Sequence, residues 1–276
     1  MEEGVNDNII DAQNDYLKGH RWEKFTDIHC HCLPGLDDGP RTMDEAITLC
    51  RRLVAEGIET VIATPHQLGR FEGCNEAAKV RNVTSELNIQ LQRAGVGLTV
   101  LPGGDVRVDE RVCQLLQADQ ILTLADAGKY ILLELPHEIF IDVEPLLNEL
   151  AALGVKAIIS HPERHNVLLR QSKVVLRWLD IGAYFQIDAC SLLGDWGPEV
   201  CRAAWLFLGS GWASFVATDA HDTSARRPRM RAAFKRICTR LGEDFARLVC
   251  IENPTRLVNR EETACPFFSD RRQMRL

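Results

Sequence analysis

Residues 26–40 read TDIHCHCLPGLDDGP: two histidines alternate with two cysteines, and a pair of aspartates follows. Imidazoles, thiolates and carboxylates all bind metals, so the stretch could be a cysteine–histidine clip, a redox thiol pair or a histidine–carboxylate centre. A structural zinc clip needs paired thiols near C-x2-C spacing and a second pair to close the tetrahedron. No C-x2-C pair occurs in the chain. Side chains alternate along a strand, which predicts Asp27, His29 and His31 on one face and Cys30 and Cys32 on the other. The two histidines can then grip one ion while the thiols pack.

The same chemistry recurs downstream. Asp38 lies in DDGP, His66 in TPH, Asp105 in GGDVR, Glu134 in LLELP, His161 in HPER, and Asp219 and His221 in TDAH. Five histidines and four carboxylates make a nitrogen and oxygen ligand set, more than one ion needs. With a bridging carboxylate it suits two or three divalent ions, for which manganese, iron, zinc and cobalt are all candidates. Ions about 3.5–4 Å apart would activate water and neutralise a phosphoryl oxygen. Three of them would also offset most of the formal net charge of −7. His20, His137 and His165 fall outside the pattern and are expected to be ordinary hydrogen-bonded residues.

The elements that must position these groups alternate. Strand-like runs at 26–31, 58–66, 98–108, 129–136, 155–164, 183–189 and 213–221 are each followed by helical periodicity, at 42–57, 75–94, 109–117, 143–154, 171–181, 198–209 and 227–262. KYILLELP is continuously apolar, as expected of a strand buried on both faces. Seven β-then-α units predict an α/β fold, a parallel sheet covered by helices that can close into a barrel. Sites in such folds form at the carboxyl ends of the strands, which is where the nine metal-competent residues fall. The sixth strand, AYFQIDA, offers nothing definite. The expected organisation is an extension over 1–24, one domain over 25–262 and a tail over 263–276.

Composition excludes several classes. The 276 residues are 46% hydrophobic and 26% charged, an ordinary globular balance. The acidic net charge argues against a nucleic-acid surface. The longest apolar stretch, at 203–218, is too short and broken to span a membrane, and the polar N-terminus is not a signal peptide. Ten scattered cysteines read as reduced thiols of a cytoplasmic protein.

The set H-x-H…DDGP, TPH, GGDVR, LLELP, HPER and TDAH resembles the polymerase-and-histidinol-phosphatase (PHP) superfamily. Within it the chain is similar to the manganese-dependent bacterial tyrosine phosphatases of capsule and exopolysaccharide operons, from about residue 26 to 260. The resemblance implies a distorted (β/α)7 TIM-like barrel holding three metals. His29, His31 and Asp219 would hold the first, Glu134 and His161 the second with Asp105 bridging, and Asp38, His66 and His221 the third. Arg164 and Arg227 would bind phosphate, with Arg226 and Arg229 competing for the second role, and Asp38 joins them as a catalytic candidate. The proton for the leaving group would come from a metal-bound water or from Asp37. The implied partner is a phosphotyrosine-bearing protein, a bacterial tyrosine autokinase of polysaccharide export, and oligomers are compatible with it. One departure stands out: the family usually carries glutamate where this chain has Asp105, and the shorter arm is expected to narrow the metal spacing or weaken one site.

Other readings compete. CIENPTR, from Cys250 to Arg256, matches the C-x5-R of thiol phosphatases, but it lacks the glycines of a phosphate cradle and its Pro254 removes a donor. A small-molecule phosphomonoesterase of the histidinol-phosphatase type, an amidohydrolase and a non-catalytic metal-stabilised regulator are the remaining alternatives.

Overall fold

The computed structural model describes residues 23–136, 139–165, 168, 170–264 and 266. His20, His137, Cys265, nearly all of the expected extension and most of the expected tail lie outside them. Among the described residues nine strand segments follow one another: β1 (Phe25–Cys30), β2 (Ile58–Ala63), β3 (His66–Gln67), β4 (Thr99–Pro102), β5 (Asp105–Arg107), β6 (Tyr130–Glu134), β7 (Lys156–Ser160), β8 (Tyr184–Asp188) and β9 (Phe215–Ala217). Helices α1 (Met43–Ala55), α2 (Ala77–Arg93), α3 (Val112–Gln117), α4 (Glu144–Ala152), α5 (Ser172–Ile181), α6 (Ala189–Leu193), α7 (Pro198–Gly209), α8 (Met230–Leu241), α9 (Glu243–Arg247) and α10 (Asn253–Val258) lie between and after them. Every strand region expected from the sequence is present. The short α6, directly after β8, was not expected.

All strand pairings are parallel and fall into two sheets, ordered β1-β2-β4 and β3-β5-β6-β7-β8-β9. The division arises because two expected strands are broken. One breaks at Thr64–Pro65, since proline has no N–H for a ladder. The other breaks at Gly103–Gly104, between β4 and β5. A Cβ on Gly104 would overlap Gln67 Oε1, and one on Gly103 would lie 2.7 Å from Ile62. Only glycine allows the two broken strands to approach this closely. The outer edge of β1 meets the segment after β9 through a parallel bridge between Cys30 and Ala220. Hydrogen bonds from Asp219 N to His29 O and from His31 N to Ala220 O, both 2.9 Å, flank it.

Two apolar clusters hold the layers. Ile28, Ile62, Leu132, Ile158, Phe215 and Ala217 pack on one another from β1, β2, β6, β7 and β9. The larger cluster joins the other strand faces to the helices, for example through Ala46, Leu49, Cys50 and Leu53 on α1. That helix is started by Thr42, whose side chain accepts from Glu45 N, with Asp44 and Glu45 in the first turn. Tyr130–Glu134 is buried along its whole length, as its apolar run predicts.

Gln67 cannot simply move aside to admit a side chain at position 104. Its Oε1 accepts from Leu122 N at 2.9 Å and its Nε2 donates to Asn75 O at 2.7 Å. Gly104→Ala is therefore expected to destabilise the chain by about 2 kcal/mol, seen as a lower urea midpoint at unchanged slope.

Candidate metal centre

The strand ends deliver the nine side chains to one place. Among the described residues, four overlapping groups have ligand atoms all within 4.8 Å of one another: His29, His31 and Asp219; His29, Asp105 and His161; His66, Asp105 and Glu134; and His31, Asp38, His66 and His221. His29 Nε2 and His31 Nε2 lie 3.2 Å apart, each 3.3–3.4 Å from Asp219 Oδ1. Asp38 Oδ1 lies 3.5 Å from His66 Nε2 and 3.4 Å from His221 Nε2. Asp105 belongs to two groups, so its shorter arm still spans them. His161 Nε2 lies 4.0 Å from Glu134 Oε1.

The backbone is bent to achieve this. His161 and Asp219 both adopt positive φ, 31° and 49°. Non-glycine residues in that region are uncommon and cluster at functional sites. In the DDGP loop, a Cβ on Gly39 would overlap the His31 carbonyl oxygen. The glycine lets the loop fold back on β1 and aim Asp38 at the histidines.

The histidines are oriented from behind. His29 Nδ1 donates to Gln186 Oε1 at 2.8 Å, His31 Nδ1 to Asp37 Oδ2 at 2.6 Å, and His221 Nδ1 to Asp219 O at 2.9 Å. Each Nε2 is thereby left to face the cluster, the arrangement by which outer partners fix metal-binding imidazoles. Burial pushes His29 and His161 down, and His221 down to about 4, which favours the neutral imidazole that a metal would need. His31 differs: burial works against its charge, but the Asp37 carboxylate outweighs that and raises it to about 10. Burial and the Asp105 charge push Glu134 up to about 7.

The cluster forms the inner end of a cavity of about 290 Å3, lined by Asp38, His66, Glu134 and His161 and by four arginines, Arg70, Arg107, Arg164 and Arg226. Each arginine reaches a carboxylate of the cluster. Arg70 lies 3.0 Å from Asp38, Arg107 3.4 Å from Glu134, and Arg164 and Arg226 each 2.9 Å from Asp219 Oδ2.

Several expectations need correction. Arg227 is outside the cavity, with its Nη1 donating to Ser224 O, and Arg229 pairs with Asp195. Arg226, the neighbour that competed for the role, is the one that lines the cavity. Asp27 does not join the cluster. The β1 ladder shifts register between Asp27 and Cys30, and the Asp27 carboxylate accepts from Thr218 Oγ1, Thr218 N and His29 N. Asp37 is a poor acid. Burial opposes its charge, but His31 holds it down at about 2, and it also accepts from Gly39 N and His66 N. The sixth strand does contribute. Gln186 holds His29, and buried Asp188 pairs with Arg164. The signal was an aspartate at the carboxyl end of the strand, Asp188.

Cys30 and Cys32 are fully buried in the apolar packing, as expected. Cys250 is buried within a π-helical turn over Leu248–Glu252, its thiol pushed up by burial. CIENPTR is thus helical and forms no phosphate cradle. His165 is a structural residue, donating to Ile139 O and accepting from Leu168 N.

Fit to a metal can be judged on the donors themselves. His66 Nδ1, Asp105 Oδ2, Asp219 Oδ1 and His221 Nε2 are buried and make no well-formed hydrogen bond, each facing another ligand atom of the cluster at 3.3–3.4 Å. Such atoms are costly unless something else satisfies them. Divalent cations of the kind bound by imidazole and carboxylate would do so.

Fold and site together define a parallel α/β protein with a histidine–carboxylate centre suited to divalent metals at its strand ends. The chain belongs to the family described as capsular polysaccharide synthesis, CpsB/CapC, whose model matches residues 25–259. It is 36% identical over 202 residues to the tyrosine-protein phosphatase YwqE of Bacillus subtilis, covering 72% of this chain and 78% of that protein. It also matches a solved structure from work on YwqE of Bacillus subtilis and CpsB of Streptococcus pneumoniae, described as metal-dependent tyrosine phosphatases. The TM-score is 0.83 and the identity 32%, covering 87% of this chain and 96% of that one. The phosphotriesterase homology protein of Escherichia coli shares the fold alone, with a TM-score of 0.52 at 12% identity, covering 86% of this chain and 99% of that one.

Asp37→Ala should weaken divalent-metal binding by about 10- to 100-fold, measured by calorimetry on a variant whose circular dichroism is unchanged. Equal affinity in the two proteins would mean that Asp37 does not orient His31.

Proposed function

We propose that the chain is a metal-dependent protein-tyrosine phosphatase that hydrolyses phosphotyrosine without a side-chain nucleophile. The observation that carries this reading is the overlap of four ligand groups at the inner end of a cavity walled by arginines. Three ions would be held by the nine residues, His29, His31 and Asp219 serving one, Glu134 and His161 with Asp105 a second, and Asp38, His66 and His221 a third. Manganese is the first choice, with iron, zinc and cobalt as alternatives. Divalent ions held there would supply Lewis acidity toward the phosphoryl group and a nucleophile from water at neutral pH.

The chain's own residues do the rest. Arg164 and Arg226 present guanidinium forks suited to phosphoryl oxygens. Asp188 braces Arg164 from behind. No cysteine, serine or threonine is among the described residues lining the cavity, which favours direct attack by water over a phosphoenzyme. The relatives named as tyrosine-protein phosphatases support the same substrate class.

Several finer assignments belong to this reading. The two sheets are taken as one distorted (β/α)7 barrel, each broken strand counting once, with the bridge at Cys30 and Ala220 and the cluster around Ile28 supporting closure. Residues 25–262 form its single domain, 1–24 an extension and 263–276 a tail. The partner is a bacterial tyrosine autokinase of polysaccharide export, met in the cytoplasm. No helix among the described residues is long and apolar enough to cross a membrane, which is compatible with that place.

Chelation should abolish hydrolysis of a phosphotyrosyl peptide, and re-supply of manganese should restore it, while thiol alkylation should leave most of it intact. A rate indifferent to chelation would overturn the proposal. Arg226→Ala is expected to lower kcat/KM at least about 100-fold, whereas Arg227→Ala stays within about twofold of the parent, both read with the same peptide.

A further inference from the structure

We propose that Phe71 and Trp196 form an aromatic slot at the cavity that grips the ring of an aryl phosphate and sets the preference for aryl over alkyl esters. The proposal rests on the phosphatase reading above and adds to it the residues that choose the ester.

Both rings line the cavity that ends at the ligand cluster. Phe71 is on the His66 side, its ring stacked on that imidazole with centroids 5.4 Å apart and planes 14° apart. The Arg70 guanidinium lies 4.7 Å from the Phe71 ring centre. Trp196 is on the Arg164 side, with the guanidinium 4.4 Å from its ring centre. It remains 40% exposed, a large apolar surface at the mouth of an otherwise charged site. Exposed aromatic surface beside a polar binding site is where a ligand with one apolar face and one charged end would sit.

The geometry links the two ends of such a ligand. A phosphoryl group held by Arg164 and Arg226 would have its ester group in the same cavity that Phe71 and Trp196 line. An aryl ring attached there would pack on the exposed part of Trp196 and beside Phe71, and each such contact contributes about 0.5–1.5 kcal/mol beyond area burial. The short methylene of an alkyl ester brings no flat surface to the walls. Selection would then come from the walls, and the arginines would serve every phosphate alike.

The test uses the full chain loaded with manganese and two non-hydrolysable probes, phenylphosphonate and methylphosphonate, titrated by calorimetry. The parent should bind phenylphosphonate more tightly. Trp196→Ala should cut that preference about fivefold, almost all of it in phenylphosphonate, and Trp196→Phe should restore most of it. Phe71→Leu, which keeps apolar volume and removes the π face, should also lower the preference. If Trp196→Ala weakens both probes equally, the indole only props Arg164 and the slot does not exist. A parent without any preference would likewise overturn it, even with full phosphatase activity. If the parent prefers phenylphosphonate yet leaves phosphotyrosyl peptide intact, the slot stands and the assigned activity fails.

Discussion

Four carboxylates crowded beside five imidazoles in a largely buried pit create the demand that organises this protein. Asp105 and Asp219 are buried, Glu134 nearly so, and Asp38 closes the same group from the rim. Like charges this close cannot all remain ionised without cations, because an uncompensated carboxylate in a low dielectric costs several kcal/mol. Two kinds of cation are offered. Arginines reach in from the cavity wall to Asp38, Glu134 and Asp219. Divalent metals suit the buried atoms that make no well-formed hydrogen bond. A phosphate monoester, doubly negative, matches a site with more positive charge than its carboxylates consume once the metals are present.

Holding such a pit open requires rigid supports, and these lie one layer behind it. Gln186, Asp37 and the Asp219 carbonyl each take one ring nitrogen and leave the other facing inward. Asn75 donates to both Leu36 O and His66 O at 2.9 Å, fastening the start of the DDGP loop to β3. Asp188 serves Arg164 as Asp37 serves His31. The site is therefore two concentric shells, an inner one of metal-competent atoms and an outer one of neutral amides and buried acids that aim them.

Much of this was legible in the sequence, and the reasons are local. The HCHC stretch and the acids at strand ends are each explained within a few residues of themselves. A buried strand such as Tyr130–Glu134 declares itself by its apolar run. Less was legible wherever two distant segments had to agree. Arg226 and Arg227 are chemically identical neighbours, and only the turn after His221 decides which one faces the cavity. Gln186 and Asp188 are unremarkable until β8 lies beside β7 and places them under His29 and Arg164. Asp27 sits one alternation step from His29, and only the docking of the segment after β9 shows that its carboxylate serves Thr218.

The sequence by itself determined the chemistry on offer: which metal-competent atoms the motifs carry, that these are nitrogen and oxygen, and that alternating β and α units would bring them to one edge. Periodicity and residue type carry that information because both are properties of single elements. The tertiary structure alone decided the aim of each side chain, the break of two strands at Pro65 and at Gly103–Gly104, and the choice of arginine. Those depend on contacts between segments far apart in the chain, where a shift of one residue in register or one turn of a loop reverses a side chain's direction.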